Sequence, residues 1–589
     1  MINTNFRKRL SGDIERRSGM KTILGYLRPH APRVAVGVTV KFTAAVLELL
    51  LPLLLAHIID GCVPARDLPA VWRAGGLMLI MAFGAALCNI TANRMAAWVS
   101  MDMTRQLRRD LYQRTLFLSQ AQLERFTVSS IVSRLTNDTY NVHQMFDKIQ
   151  RGGIRAPMLV LGGLVLTFFQ APSLGFVQLA VCSATFFAIW LVTRQGIPRY
   201  TRAQEAVDTV VRVLRENASG VRVVKALACQ ARERERFTAA SRASMEAEQT
   251  AGRIMAAANP LADFLLNLGL VLVVLAGALL VDRGRMASGQ IVAFLSYFTL
   301  IQTATLGLAK LFVKFSKGVA SARRIEEVLL APEDQRVRVP EGPGLQGPEL
   351  GMENVSFSYL GVEKDLDGAS FLLNKGETLG ILGPTGSGKT TLVSLLLRLY
   401  DADGGVVWLG GRDVSTLSRE DLRGRFGVVF QNEALLNDSV YENISFLRGL
   451  SREDVTAAAK TAQAWEFIEH LPEGLDAKLD IRGANLSGGQ RQRLLVARAL
   501  AARPNILILD SADSALDYRT ATALHAAIRR DFPGVTQVII SERVSSLRDA
   551  DRILVLEDGV IAAQGTHQEL LETCGRYRRM AELQMGGAV

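Results

Sequence analysis

The chain has 589 residues, 49% of them hydrophobic and 21% charged, and a formal net charge of +11. That length exceeds what one hydrophobic core serves, so two or more domains are expected. The five cysteines (Cys62, Cys88, Cys182, Cys229 and Cys574) are scattered with no CxxC or metal-ligand spacing, which argues against a zinc or disulfide framework.

The N-terminal stretch MINTNFRKRLSGDIERRSGMK is polar and basic, without the short apolar core of a cleavable signal peptide. Six runs then reach the roughly 20 mostly apolar residues that a bilayer-crossing helix needs. They lie near 34–59, 74–98, 155–172, 174–193, 254–281 and 289–312. Short segments (DGCVPARDLP, QAPS, VDRGRMAS) join the first to the second, the third to the fourth and the fifth to the sixth. The other two connections are long and rich in Arg. Basic segments stay in the cytoplasm, so both long connections, the N-terminus and the C-terminal half are expected to face inward, consistent with an even number of spans. A basic chain with such runs points to a membrane and not to nucleic acid. The long connections read as helical extensions of the spans.

Charged residues inside the spans are costly and face either a partner helix or a transport path. Lys41 and Glu48, seven residues apart, share a face of the first span. Asp263 and Asn267 share one of the fifth, near Pro260. Both explanations stand at this level.

The charged, Pro- and Gly-containing stretch ARRIEEVLLAPEDQRVRVPEGPGLQGPEL marks a domain boundary. The organisation expected is an N-terminal segment 1–33, a membrane domain 34–317, a linker 318–346 and a nucleotide-binding domain 347–589. From about Gly347 the pattern becomes that of an α/β domain with a largely parallel sheet.

GPTGSGKTT follows the apolar run TLGIL and precedes the helix-forming TLVSLLLRLY. It matches the phosphate-binding loop G-x-x-x-x-G-K-[ST]. Gly383, Pro384, Thr385, Gly386, Ser387 and Gly388 turn backbone N–H groups toward phosphate oxygens. Lys389 reaches the β- and γ-phosphates of ATP, and Thr390 ligates Mg²⁺, with Thr391 beside it. LSGGQRQRLLVARAL begins at Leu486. It places Ser487 and the N–H groups of Gly488 and Gly489, followed by Gln490, at the start of a helix, which suits a γ-phosphate.

On these motifs the whole chain resembles an ATP-binding cassette (ABC) transporter, in particular the exporter half-transporters of six spans followed by one nucleotide-binding domain. The resemblance implies an α-helical membrane domain of the type IV exporter fold and an α/β P-loop domain. It implies Mg²⁺ and ATP sandwiched between two nucleotide domains, each LSGGQ serving the ATP of the opposite domain. It assigns Tyr359 (NVSFSY) to adenine stacking, Gln431 (VVFQ) to the approach to Mg²⁺, Asp510 (ILILD) to holding Mg²⁺ through water, and Asp517 (SALD) to the loop linking the two sites. Coupling helices are expected near Asn137–Phe146 and Ser219–Leu227. An aromatic such as Tyr359 at a strand end is more often filler when read alone.

Two departures bear on chemistry. Active members carry a carboxylate, usually Glu, directly after the strand-ending Asp, where it polarises the attacking water. Here that residue is Ser511, whose hydroxyl does not ionise near neutral pH. General-base help is worth about 10² to 10⁴ in rate. Asp513, two residues on, is a poor substitute, since small misplacements are costly. Where members carry His beside the γ-phosphate, this chain has Glu542 (VIISERVSS), repulsive toward phosphate unless it turns outward.

The intact LSGGQ against this altered edge resembles the degenerate-site subunit of a bacterial heterodimeric multidrug-type exporter. The expected partner is a second half-transporter that completes a competent site. The expected cargo is a small hydrophobic or amphipathic molecule, and the expected place is the inner membrane. A homodimeric exporter and an ATP-binding regulatory membrane module are the rivals.

Overall fold

The computed structural model describes residues 20–332, 335, 337–338, 347–431 and 433–585. Residues 1–19 of the expected N-terminal segment, and most of 333–346 in the expected linker, lie outside the described residues. The chain forms two units. One comprises the residues up to Phe117 together with Thr127–Ala331; the other comprises Leu118–Phe126 and everything from Pro332 onward.

Six helical segments in the first unit are long and apolar enough to cross a membrane: Met20–Cys62, Leu68–Leu116, Val128–Gln170, Pro172–Ser219, Gln230–Asp282 and Ser288–Leu329. Each has 42 to 53 residues. At about 1.5 Å per residue they outreach a hydrocarbon core of about 30 Å, so each carries a polar extension, as the helical reading of the long connections expects. The second segment starts where Asp67 accepts a hydrogen bond from the Ala70 amide at 3.0 Å. The turn into the fourth uses Ala171 in an extended conformation and Pro172 at the first helical position. The third is interrupted at Gly153–Ile154, between helices Thr139–Gly152 and Arg155–Gln170. A Cβ on Gly153 would lie 2.6 Å from the Ile149 carbonyl oxygen, so only glycine fits that break.

Apolar side chains from different spans form two buried clusters. One gathers Leu49, Leu159, Tyr297 and Ile301, and the other Leu174, Val273, Phe294 and Phe298. The Tyr297 hydroxyl, buried with them, donates to the Leu49 carbonyl at 2.7 Å.

Lys41 and Glu48 pair with neighbouring helices. Lys41 Nζ donates to Asn89 Oδ1 at 2.8 Å and to Asn93 Oδ1 at 2.9 Å. Asn89 Nδ2 donates to Glu48 Oε1 at 2.7 Å, and Arg155 Nη2 donates to Glu48 Oε2 at 2.7 Å. Asp263 and Asn267 are exposed and linked to each other, the Asn267 amide donating to the Asp263 carbonyl at 2.8 Å.

The first expected coupling helix requires correction. The stretch Asn137–Phe146 runs into helix Thr139–Gly152, which belongs to the membrane unit and buries Val142, Met145 and Phe146. Those residues stand three and four apart, the spacing of a helix face that seeks a core. Asn141 donates to Ser321 at 3.1 Å, and Ser321 to Asp138 at 2.8 Å, which ties this stretch to the sixth segment. It is helix Gln120–Phe126 that belongs with the nucleotide unit. There Glu124 accepts a 2.5 Å hydrogen bond from the Tyr400 hydroxyl, and Gln122 donates to the Pro332 carbonyl at 2.6 Å. In the second long connection Val221–Ala226 forms a short helix, with Val221, Val223 and Leu227 exposed.

The nucleotide unit holds two sheets. The antiparallel one has the order β2 (Leu366–Leu373), β1 (Leu350–Phe357), β4 (Gly404–Leu409), β5 (Arg412–Asp413). The larger has the order β10 (Val560–Gly565), β9 (Arg552–Glu557), β3 (Thr378–Leu382), β8 (Thr536–Ile540), β7 (Ile506–Asp510), β6 (Phe426–Val429). It is parallel from β9 through β6, with β10 antiparallel at the edge. All five residues of β7 are buried, as in a parallel strand covered on both faces. Successive side chains alternate: Ile506 and Ile508 enter one core cluster, Leu507 and Leu509 the other. This clamps the strand at a fixed height and delivers Asp510 to the rim of the sheet.

Candidate nucleotide site

The loop 383–388 leaves β3 and enters helix Lys389–Leu396 through Gly388, whose φ is +97°. A Cβ there would meet the Asp365 carbonyl at 2.8 Å, so both the dihedral and the space demand glycine. Lys389 Nζ lies over the loop and donates to the carbonyls of Gly383 (2.8 Å) and Pro384 (2.7 Å). Burial holds its ammonium below the usual lysine range, opposed by the nearby charges of Glu542 and Asp510. The Ser387 hydroxyl is buried inside the same loop and has no partner among the described residues. A buried orphan hydroxyl in a cradle of backbone N–H groups, beside a lysine, fits a nucleotide's phosphates.

Asp510 ends β7 almost fully buried. The Thr390 hydroxyl donates to its Oδ2 at 3.5 Å and the Ser511 hydroxyl to its Oδ1 at 3.3 Å. Burial pushes the Asp510 carboxyl above the usual carboxylate range, against the pull of Ser511, Lys389 and Thr390. A desolvated carboxylate next to a threonine hydroxyl is a donor set suited to a hard divalent cation such as Mg²⁺. Gln431 follows β6 and is exposed.

Ser511 takes a positive φ of 55°, and its amide is held by the Ile540 carbonyl at 2.9 Å. Asp513 is buried and held elsewhere, with its Oδ1 3.1 Å from His525 Nε2 on helix Tyr518–Asp531. Burial works to raise its carboxyl, but the hydrogen bond and charge of His525, helped by Ser546 and Arg543, hold it below the usual range. Asp513 is thus a structural anion committed to His525.

Glu542 is exposed but turns toward the phosphate loop. Its Oε1 accepts from the Thr385 hydroxyl of the phosphate loop at 3.2 Å. Gln584, on the last helix (Gly575–Met585), clamps the same turn, donating to the Glu542 carbonyl and accepting from the Val544 amide, both at 2.8 Å. Sequence reasoning passed over Gln584, since no local pattern ties it to a residue 42 positions away.

Tyr359 is part of an aromatic triad. Its ring meets Phe357 edge-on at 4.9 Å and Tyr400 at 5.0 Å, and its hydroxyl donates to Thr391 at 3.3 Å. It remains 41% exposed, enough to offer a ring face to a base. Tyr359→Ala is expected to weaken nucleotide binding by about 1–3 kcal/mol, the usual worth of a base–aromatic stack. Titration of the full chain with a fluorescent ATP analogue checks this, and unchanged affinity would make Tyr359 filler.

The signature segment heads helix Gly488–Ala501. The Ser487 hydroxyl accepts from the Gln490 amide at 3.2 Å, while Gln490 Oε1 accepts from the Ser487 amide at 2.9 Å. This reciprocal box caps the helix and presents the Gly488 and Gly489 amides at its positive end. The Ala515 carbonyl runs alongside Gly489. Asp517 caps the next helix, accepting from the Thr520 amide at 3.0 Å and its hydroxyl at 2.7 Å.

Fold and site together define a phosphate-loop nucleotide-binding domain joined to a six-helix membrane region. The sequence pattern of the ABC transporter transmembrane region matches residues 34–305, and that named ABC transporter matches residues 366–514. The chain is 34% identical to the uncharacterized ABC transporter ATP-binding protein YfiB of Bacillus subtilis (strain 168), over 96% of this chain and 99% of that protein. It is 32% identical to a fatty acid ABC transporter ATP-binding/permease protein of Mycobacterium bovis, over 87% of this chain and 82% of that one. Its fold is similar to a bacterial Atm1-family ABC exporter with ATP bound, with a TM-score of 0.81, 26% identity, and coverage of 96% and 99% of the two chains. The chain therefore belongs to the ABC transporters, as an exporter-type half-transporter with six membrane helices and one nucleotide-binding domain.

Proposed function

We propose that this chain is one half of a heterodimeric ABC exporter of the inner membrane, with its nucleotide domain in the cytoplasm. In this reading it retains ATP at its own phosphate loop and lends an intact signature to a partner that hydrolyses. The observation that carries this is the contrast between two edges of one domain. On the catalytic edge Ser511 offers no base, Asp513 is committed to His525, and Glu542 points a carboxylate at the phosphate loop. On the signature edge Ser487, Gly488, Gly489 and Gln490 form a complete cap. A homodimer would have two impaired sites, whereas a heterodimer has one.

At its own site, Tyr359 stacks the adenine, residues 383–391 bind the phosphates with Lys389 as the counter-charge, and Thr390, Asp510 and Gln431 would hold Mg²⁺. The metal would supply neutralisation of phosphate charge. Because no residue deprotonates a water there, the domain stays closed around its nucleotide for long periods. At the other site Ser487 and the amides of Gly488 and Gly489 complete the γ-phosphate cradle, and Asp517 links the two. The cargo is an amphiphile, supported by the apolar membrane half and by the fatty-acid transporter among its relatives.

The test is ATPase activity of the purified full chain, alone and with the half-transporter that co-purifies with it. Turnover near background alone and robust turnover in the pair is expected; robust turnover alone would refute the division of labour.

A further inference from the structure

The ion network of the membrane unit is unbalanced. Among the described residues Glu48 is the one carboxylate linked to both Lys41 and Arg155. Arg155 holds it from two nitrogens, Nη2 at 2.7 Å and Nε at 3.1 Å, while Lys41 reaches it only through Asn89. Among the described residues no carboxylate forms an ion pair with Lys41, which is 3% exposed. One to two turns before Arg155 the pattern repeats, as Asp147 pairs with both Lys148 (3.5 Å) and Arg151 (2.7 Å). Four cations thus stand against two carboxylates around the break at Gly153.

Within the spans Lys41 and Arg155 face one carboxylate, and positive charge left over in a membrane helix is expensive and calls for an anion. The geometry shows where that anion would sit. The helix restarts at Arg155, so the positive end of its dipole lies beside the guanidinium. A break in a membrane helix is tolerated where it lines a cavity, and such restarts recur at anion sites in transporters. Arg155 at 38% and Glu48 at 17% exposure are reachable, while Lys41, at 3%, is buried. Arg155 presents a planar fork suited to carboxylate or phosphate, and Glu48 fills it as such a group would.

We propose that Arg155 and Lys41 form a binding site for the anionic head of an amphiphile, and that Glu48 is its internal stand-in, displaced from Arg155 when the ligand's carboxylate or phosphate arrives. This rests on the reading of the cargo as an amphiphile, and it names the charge and the residues that select it. Glu48 then sets affinity. It keeps the empty site neutral enough to persist in the membrane, and it competes with cargo so that release is possible. A purely structural ion pair makes the opposite prediction for Glu48, because removing it would then only disrupt the site.

The test uses the full chain in neutral phosphatidylcholine nanodiscs, with empty discs subtracted. Displacement of a fluorescent C12 carboxylate is measured for dodecanoate, dodecyl phosphate and methyl dodecanoate. Both anions are expected to bind at least about tenfold tighter than the ester, the worth of one charge-assisted contact. Arg155→Gln and Lys41→Gln should each remove most of that preference, Arg155→Lys should restore part of it, and Glu48→Gln should tighten anion binding severalfold. Which anion binds tighter separates a carboxylate cargo from a phosphate one. Equal binding of ester and anions by the unaltered chain overturns the site even if no variant folds. Weaker or unchanged anion binding by a folded Glu48→Gln chain overturns the stand-in. None of these readouts involves ATP turnover, so a failure here is distinct from a failure of the proposed division between the two nucleotide sites.

Discussion

Ser487→Arg in this chain should abolish ATP turnover of the assembled transporter, while Lys389→Ala in the same chain should only reduce it. The two residues stand in one domain but serve different nucleotides in the proposed assembly. Arginine at 487 destroys the reciprocal box with Gln490 and places a bulky side chain over the Gly488 and Gly489 amides. Loss of preorganised donors toward a developing charge costs about 10² to 10³ in rate per donor. Lys389, by contrast, faces a phosphate loop whose neighbouring strand end offers Ser511. Its removal should weaken nucleotide retention in this chain by tenfold or more, since a charge-assisted contact is worth about 1.5–3 kcal/mol. Overall turnover should fall by less than about tenfold, because chemistry at the other site keeps its own base. Steady-state ATPase and nucleotide retained after gel filtration, measured on both variants of the co-purified pair, give the answer. Equal loss of turnover in the two variants would mean that both sites are equally catalytic.

Restoring the catalytic edge requires two changes together. Ser511→Glu alone and Glu542→His alone are each expected to raise hydrolysis at this chain's site by less than about tenfold, and the double variant by about 10² to 10⁴, the usual worth of a general base. Residue 511 sits in the left-handed region, so serine and glutamate meet the same backbone cost and the loop accepts either. The obstacle is electrostatic. Glu542 already faces Thr385 on the loop, and a second carboxylate at 511 would crowd negative charge around the γ-phosphate with no donor to offset it. Histidine at 542 removes one charge and supplies a donor. The effects are therefore strongly non-additive, as expected for residues that share one network. Single-turnover hydrolysis by the pair, with the partner's own base disabled, reads this directly. Full recovery with Ser511→Glu alone would show that Glu542 is harmless.

Local order along the chain was legible because the forces that set it are local. Apolar runs near 20 residues named the six spans, and the strand–loop–lysine order placed 383–391 before any geometry was known. Long-range partners were not legible. Asn137–Phe146 carries polar residues typical of a connection, yet Val142, Met145 and Phe146 form an inward stripe, and the segment docks within the bundle. The seven residues Gln120–Phe126 have no such stripe and no buried residue, so nothing in them announced that they lie with the nucleotide unit through Tyr400. Asp513 was rejected as a base on spacing alone; the reason found in space is different, a hydrogen bond with a histidine twelve residues away.

Sequence alone determined the class of chemistry. Glycine where a positive φ and a close carbonyl forbid any side chain, lysine at the head of a helix, and serine directly after a strand-ending carboxylate are identities, and identity fixes what a residue can donate, accept or ionise. Only the tertiary structure decided direction and company: Glu542 toward Thr385 of the phosphate loop, Asp513 toward His525, Glu48 into the fork of Arg155. Each of those choices is made by groups far apart in the chain, where burial makes a charge seek its nearest partner, and distance in space is what the one-dimensional order does not contain.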